Sequence, residues 1–462
     1  MSRPRREGGS FRDPGSGVLL AGSRVLRYFD STAARTFDAV AGVLEDLARR
    51  DAIIGWRRLD ATEAGAVTGV TPPAALVLEH PRVPFVSYPY EWPFDMLKAA
   101  ALLTLDIQAT ALAAGFTLKD ASPYNVQFIG TRPLFIDLGS FEHHRDGAPW
   151  AAYTQFCRLF LYPLLLDALR GIPYHDLLRA HLDGVPAARM AQLLRPRDLL
   201  RPAVFRDVFL QSWLERWSGT MSGRGGMAGA AIPRRVIVRL VDRLRGAIEL
   251  LRPRVAVSHW SDYDRTAPYT VEARALKERG VEAAVRAARP ALVWDLGCNT
   301  GRFSALAARD AGHVVALDAD AAVVDALARS TRGGPANLLP LVVDVLNPSP
   351  DQGWAGRERR ALAHRGRPDL VLCLGLLHHL VVHGQLPLAE VVRWLAGLAP
   401  RVLVEFVPPD DPGFQKLVRW RTSAHHDYGA PALEAALGER FTSVTRTELG
   451  PSGRALYAAA RT

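Results

Sequence analysis

Three groups of residues in this chain have the types and spacing to do chemistry. The first is V-W-D-L-G-C-N-T-G, Val293 to Gly301. An apolar run ends in Asp295, a glycine-rich turn follows, and a helical pattern begins at Arg302. Gly297 and Gly301 let the backbone bend sharply and let a ligand approach where a Cβ would obstruct it. The spacing D-x-G-x-x-x-G is neither the dinucleotide pattern nor the phosphate-cradling one. No Lys-Ser/Thr pair follows to hold a phosphate and magnesium, so the turn suits an uncharged or cationic ligand portion. The second group lies in Thr117 to Glu142. Asp120 and Asn125 stand in a D-x-x-x-x-N spacing, a short hairpin follows, and Ile136-Asp137-Leu138-Gly139 closes it. Two carboxylates and an amide oxygen are hard ligands of the kind magnesium takes. Asp and Asn are also ordinary turn residues. The third group is L-G-L-L-H-H-L-V-V-H-G, with His378 and His379 just after an apolar run. Either imidazole could take a proton from an acceptor, if the acceptor needs a base. The plain alternative is a helix N-terminal pair, one histidine packed and one solvated. His379 and His383 have the spacing of a metal pair on a helix, but no third ligand accompanies them.

These groups need elements to hold them. After the first turn, Val314 to Asp320 reads as a second strand ending in acid. Asp318 stands at about the distance where α/β nucleotide sites place a ribose-binding acid. Asp344 ends a third strand in L-V-V-D-V-L-N. Pro368 to Leu380 contains a fourth, and Arg401 to Pro412 a fifth, with Glu405 at its end as a further candidate catalytic group or one that shapes the pocket. Helical patterns such as Ala321–Arg329 and Leu388–Ala399 separate them. Strands alternating with helices give a parallel sheet with a crevice at the carboxyl ends.

The turn, Asp318, Asp344 and the fourth strand, in this order, resemble the class I S-adenosylmethionine-dependent methyltransferases over roughly residues 255–462. The resemblance implies a Rossmann-like α/β domain. It implies that Asp295, Gly297, Asn299 and Gly301 line the methionine part of S-adenosylmethionine, that Asp318 binds ribose hydroxyls, and that Asp344 approaches the adenine. The lead-in containing Trp260, Tyr263, Tyr269 and Lys277 often covers the cofactor from the open side of such a fold. Tyr269 and Lys277 are its expected ligand contacts. The group in Thr117–Glu142 resembles the protein-kinase-like fold, so an α+β first domain is expected. There Asp120 would orient an attacking hydroxyl, and Asn125 and Asp137 would hold magnesium for ATP. No glycine-rich loop with its lysine is evident, and S-G-V-L-L-A-G-S-R-V-L-R-Y-F is at best a degenerate nucleotide-covering hairpin. An active small-molecule kinase, a binding-only pocket, and plain turn residues all stay open. The whole chain also resembles bacterial methyltransferase-like proteins related to a host-specific nodulation protein, through S-Y-P-Y-E-W-P-F-D-M-L, L-K-D-A-S-P-Y-N-V-Q-F, the glycine turn and L-V-E-F-V-P-P-D-D-P-G-F-Q.

The 462 residues suggest more than one domain. Residues 1–16 read as a flexible tail, 17–217 as the α+β domain, 218–254 as a linker plus connecting helix, and 255–462 as the α/β domain. No uninterrupted apolar run spans a bilayer, and the N-terminus lacks a secretion pattern, so a cytoplasmic setting is expected. The net charge is +10. Its arginines are dispersed without stacking aromatics, so a nucleic-acid partner is not expected. Three separated cysteines give neither a zinc spacing nor a disulfide framework. The expected activity is methyl transfer to a small-molecule or saccharide oxygen or nitrogen. A bifunctional kinase–methyltransferase and a non-catalytic ligand-binding scaffold are the alternatives.

Overall fold

A computed structural model describes residues 4–68, 74–213, 231–261, 269–419 and 427–461. The chain divides into two compact units. The first holds Met1–Phe128, Arg132–Val255 and Asp351–Arg360; the second holds Ile129–Thr131, Ala256–Pro350 and Ala361–Thr462.

The first unit opens with strands β1 (Arg5–Arg6), β2 (Ser16–Ala21) and β3 (Arg24–Phe29), joined later by β4 (Arg57–Arg58) and β5 (Leu76–His80). They form one antiparallel sheet in the order β1-β2-β3-β5-β4. Residues 5–16 are therefore not the flexible tail expected from their composition: β1 pairs with Leu19 and Leu20. Helix Ser31–Arg49 follows β3, with Asp30 accepting bonds from the Thr32 and Ala33 amides as its N-cap. Helix Phe94–Ala113 has a mean hydropathy of 1.3 and, by length and composition alone, could cross a membrane. The strongly apolar composition is explained by burial, and its polar Gln108 is matched inside. Gln108 donates to Thr117 Oγ1 at 2.9 Å and accepts from the Leu118 amide at 2.8 Å.

That pair fixes β6 (Phe116–Leu118), which pairs with β9 (Phe141–His143). Between them run the hairpin strands β7 (Val126–Ile129) and β8 (Arg132–Phe135). The segment carrying Asp120, Asn125 and Asp137 is thus closed at both ends. The apolar stretch Leu159–Leu169 lies largely buried within helical residues Tyr153–Arg170. Helix Arg234–Glu249 was expected to connect the domains, but it belongs to the first unit. There Lys98 Nζ donates to the Glu249 carbonyl at 2.8 Å, and Arg245 pairs with Asp106. Most of the expected glycine-rich linker lies outside the described residues.

The second unit is a seven-stranded sheet. Its strands are β10 (Leu292–Leu296), β11 (His313–Asp318), β12 (Leu338–Val342), β13 (Leu370–Cys373), β14 (Arg401–Phe406), β15 (Ser443–Glu448) and β16 (Ala455–Ala460). The order is β12-β11-β10-β13-β14-β16-β15. The first five are parallel, and β16 runs antiparallel to both neighbours. β12 lies earlier than expected, so Asp344 falls beyond it. Pro340 hides this strand in the sequence; it is tolerated because β12 is an edge strand.

Residues 351–360 are continuous in sequence with the second unit's strands yet pack within the first unit. Glu358 accepts two bonds from Arg12, at 3.0 and 2.6 Å, and Arg360 pairs with Glu7. The Arg360 amide donates to the Tyr88 hydroxyl at 2.9 Å. Glu358 is buried while Arg12 is mostly exposed, so screening limits the pair to about 1 kcal/mol or less. Glu358→Ala should lower the first unit's melting midpoint by a few degrees in full-length protein, scaling at roughly 2–4 °C per kcal/mol. Calorimetry resolving the units checks this; an unchanged midpoint contradicts anchoring by that side chain.

Candidate active-site crevice and acid cluster

β10 pairs with β11 on one side and β13 on the other, and strand order reverses there. The turn after β10 therefore opens on the crevice at the strands' carboxyl ends. Gly297 has φ +70°, a left-handed conformation that favours glycine. Its amide and that of Cys298 donate to the Leu317 carbonyl at 2.8 and 3.0 Å, which folds the turn onto β11. Asp318 then braces it: Oδ2 accepts from the Asn299 amide at 2.8 Å and Oδ1 from the Asp320 amide at 2.9 Å. A carboxylate has about four lone-pair sites, so capacity for a ligand's hydroxyls remains. Asp295 is buried and accepts from Ser304 Oγ at 2.5 Å. Burial raises its pKa to about 7, against the opposing effects of the Ser304 bond and the Lys277 charge.

Gly301 has a different reason to be glycine. A Cβ there would lie 2.4 Å from Leu327 Cδ1, so its small size admits helix Ala321–Ser330 rather than a ligand. Asp344 is exposed beyond β12, with Oδ1 accepting from the Leu346 amide at 2.9 Å. The cleft over the turn is lined by Tyr269, Lys277, Gly297, Cys298, Asn299 and Gly375, among others.

Tyr269 and Lys277 also enter a buried charge network. Lys277 Nζ lies 2.8 Å from Glu405 Oε2. Tyr269 donates to Glu405 Oε1 at 2.5 Å and accepts from Lys277 at 3.1 Å and Arg454 Nη1 at 2.7 Å. Arg454 Nε donates to Asp411 Oδ2 at 2.8 Å. Burial pushes the Glu405 pKa up, but Lys277, Arg454 and the Tyr269 bond outweigh it and leave it lowered. Glu405, expected as a candidate catalytic group, is thus an ionised anchor already engaged by two cations.

His378 is buried, and its Nδ1 has no hydrogen-bond partner. Burial, with the charges of His379, Arg454 and Lys277, lowers its pKa to about 2. His379 sits edge-on to Trp260 at 5.4 Å between ring centroids, and burial lowers its pKa to about 4. Both imidazoles are neutral at ordinary pH. As proton acceptors they are weaker than the sequence expectation required, because the apolar surroundings disfavour the imidazolium. His425 and His426, which read as residues of a loop or lid, lie outside the described residues.

In the first unit, Asp120, Asn125 and Asp137 do converge. Asn125 Nδ2 donates to Ser140 Oγ at 3.2 Å and approaches the Asp120 carbonyl at 3.5 Å; Ser140 donates to Asp137 Oδ2 at 2.5 Å. Burial and the Asp137 charge raise the Asp120 pKa. Asp137 Oδ1 accepts from Arg27 Nη1 at 2.6 Å and from the Gly139 amide at 3.2 Å. The expected magnesium ligand is therefore already paired with an internal cation. Among the described residues, no group of three or more His, Cys, Asp or Glu is arranged to hold a metal.

Sequence reasoning missed Arg27, Ser304, Asp411 and Arg454 as site residues. The available signals were an arginine inside the apolar run V-L-R-Y-F and the adjacent acids Asp410 and Asp411 after β14.

Comparison with known proteins gives one full-length likeness. The chain is 36% identical to the nodulation protein NoeA of Rhizobium meliloti (strain 1021) over 459 residues, 98% of this chain and 96% of that one. No family model matches. Solved structures similar to part of the chain include magnesium protoporphyrin IX methyltransferase from Synechocystis PCC 6803 with bound SAH, at 19% identity and TM-score 0.30, covering 41% of this chain and 85% of that one. The N-methyltransferase NodS from Bradyrhizobium japonicum WM9 with S-adenosyl-L-homocysteine matches at 14% identity and TM-score 0.31, covering 43% and 90%. The bifunctional kinase-methyltransferase WbdD matches at 18% and TM-score 0.31, covering 44% and 42%.

The charge network sets an expectation for Glu405. Glu405→Gln leaves Lys277 and Arg454 buried with one anion too few, which should cost about 3–5 kcal/mol. Denaturant unfolding of the second unit measures the loss. A variant of native stability would mean that the carboxylate is not the anchor.

Proposed function

The chain belongs to the family of the nodulation protein NoeA, and from that premise we propose that it is a methyltransferase using S-adenosylmethionine. Its acceptor is an oxygen or nitrogen of a small molecule or saccharide, and the setting is the cytosol. The observation that carries this reading is the turn at the strand-order reversal, with Gly297 at φ +70° and Asp318 bracing it. When bound, the cofactor supplies a methyl group on a sulfonium. Asp295, Gly297 and Asn299 would hold its methionine part, Asp318 its ribose, and Asp344 would stand on the adenine side. Tyr269 and Lys277 close the cleft from the lead-in. Two acids at the turn, Asp295 buried and Asp318 half-buried, suit a ligand carrying positive charge.

Methyl transfer depends chiefly on alignment of the acceptor atom, and proximity supplies much of the acceleration. The groups expected on the acceptor side are rings: His378 lies 4.3 Å from His379 and 6.4 Å from Phe414, and Phe414 stacks on Tyr428 at 5.1 Å. Neutral rings orient a flat or sugar-like acceptor by contact. His378 and His379 act there as shape and hydrogen-bonding groups.

Calorimetric titration with S-adenosylhomocysteine tests the cofactor. Wild type should bind. Asp318→Ala should lose about 1.5–3 kcal/mol, roughly tenfold or more in affinity. Gly297→Val should not bind, since a branched side chain is strained at that φ and meets Leu376. Folded wild type without affinity refutes the proposal. Cofactor binding without turnover in extracts of a deletion strain, followed with labelled methyl donor, would favour the scaffold instead.

Asp295 adds a pH dependence. In the free protein its raised pKa, about 7, means that burial favours the protonated form. A cationic ligand favours the ionised form. Below pH 7 binding must first remove the proton, so affinity should rise from pH 5.5 to 7 and then level. Titrations across that range, repeated with Asp295→Asn, check the sign; a flat wild-type profile argues against contact between Asp295 and the ligand's charge.

A further inference from the structure

The kinase-like resemblance implies magnesium at Asn125 and Asp137, and the residues present do not fit it. A divalent cation of that kind binds a carboxylate oxygen directly and demands near-octahedral oxygen geometry. Asp137 Oδ1 instead takes Arg27 Nη1 at 2.6 Å and the Gly139 amide, while Oδ2 takes the Ser140 hydroxyl. Arg27 is held from several sides. It stands mid-strand in β3, opposite Val18 of β2 and Leu78 of β5. Its Nη2 donates to the Ile136 carbonyl at 3.3 Å. Its residue is only 8% exposed. A guanidinium cannot lose its proton, so it cannot yield the site by becoming neutral. Displacing it would leave a buried cation without its anion, at a cost of several kcal/mol.

We propose that Arg27 permanently takes the place of the divalent cation at Asp137. The first unit then takes up no magnesium nucleotide through these acids. Asp137 serves as the latch between β3 and the Asp120–Ser140 segment, and the convergence of Asp120, Asn125 and Asp137 is structural. Removing the guanidinium should expose the latent metal site, since the carboxylates and the Asn125 amide would remain close together with unbalanced charge.

The test uses full-length protein and manganese, read by electron paramagnetic resonance and by thermal melting, with and without ATP. Wild type should bind no manganese in a manner sensitive to Asp137→Asn, and magnesium-ATP should not shift its first-unit melting midpoint. Arg27→Ala should melt lower than wild type, regain stability with millimolar manganese, and lose that response in Arg27→Ala/Asp137→Asn. Arg27→Lys keeps a cation and should behave as wild type. If Arg27→Ala does not fold, the wild-type and Asp137→Asn titrations still decide. Asp137-dependent binding of manganese or magnesium-ATP by wild type overturns the proposal. So does a folded Arg27→Ala variant that shows no metal response.

Discussion

The second unit depends on four charges that it has removed from water. Lys277, Glu405, Asp411 and Arg454 are all buried, and they balance as two cations against two anions. Each buried ion carries a desolvation cost of several kcal/mol, so such a set persists only when every member is paired and hydrogen-bonded. The set ties together helix Val271–Ala288, the end of β14, the turn before helix Pro412–Val418, and the start of β16. Of these, helix Val271–Ala288 also lines the cleft, through Arg274 and Lys277. Besides these two, the cleft lining carries Arg302, while Asp318 braces the glycine turn through the Asn299 amide.

The same device recurs in the first unit, where Arg27 and Asp137 join the sheet to the acid-bearing segment. More exposed ion pairs engage several of the chain's other arginines. Arg12 with Glu358, Arg24 and Arg57 with Glu79, and Arg243 with Asp207 are pairs within one unit. Arginine suits this use because its planar fork binds carboxylates bidentately and is more weakly hydrated than an ammonium. Part of the net charge of +10 is thus engaged in pairs with acids of the same unit. Many of the guanidinium groups are turned toward acids of their own unit.

Legibility in the sequence followed the range of the interactions. β10, β11, β13 and β14 are apolar runs buried on both faces, each close to an acid or a glycine, and local pattern reveals them. β12 was displaced by Pro340, whose tolerance depends on an edge position that only the sheet order supplies. β15 is almost wholly exposed and polar, so its residues carry no strand alternation. β1 is two residues long and exists through its partner. The site divides the same way. Asp295, Gly297 and Asp318 are readable because the turn is contiguous and the second acid follows at a regular distance. Arg454 lies 43 residues from Asp411, and Arg27 lies 110 from Asp137; no local pattern connects such pairs.

The two glycines of the turn show why a motif match and a mechanism are different statements. Both have positive φ, and both fit one spacing pattern. Gly297 faces the cleft, and its nearest obstacle to a Cβ is the flexible end of Leu376 at 3.3 Å. Gly301 faces inward, where a Cβ would lie 2.4 Å from Leu327 Cδ1 and the leucine would have to shift. One position is constrained by a surface a ligand can reach, the other by the packing of a helix. The histidines diverge in a similar way. Their sequence position suggested proton transfer, while burial makes them uncharged walls. The acids stand at the ends of β10 and β11, and the neutral rings follow β13. If the proposed cofactor binds at the turn, charge contributes there and shape contributes at the rings.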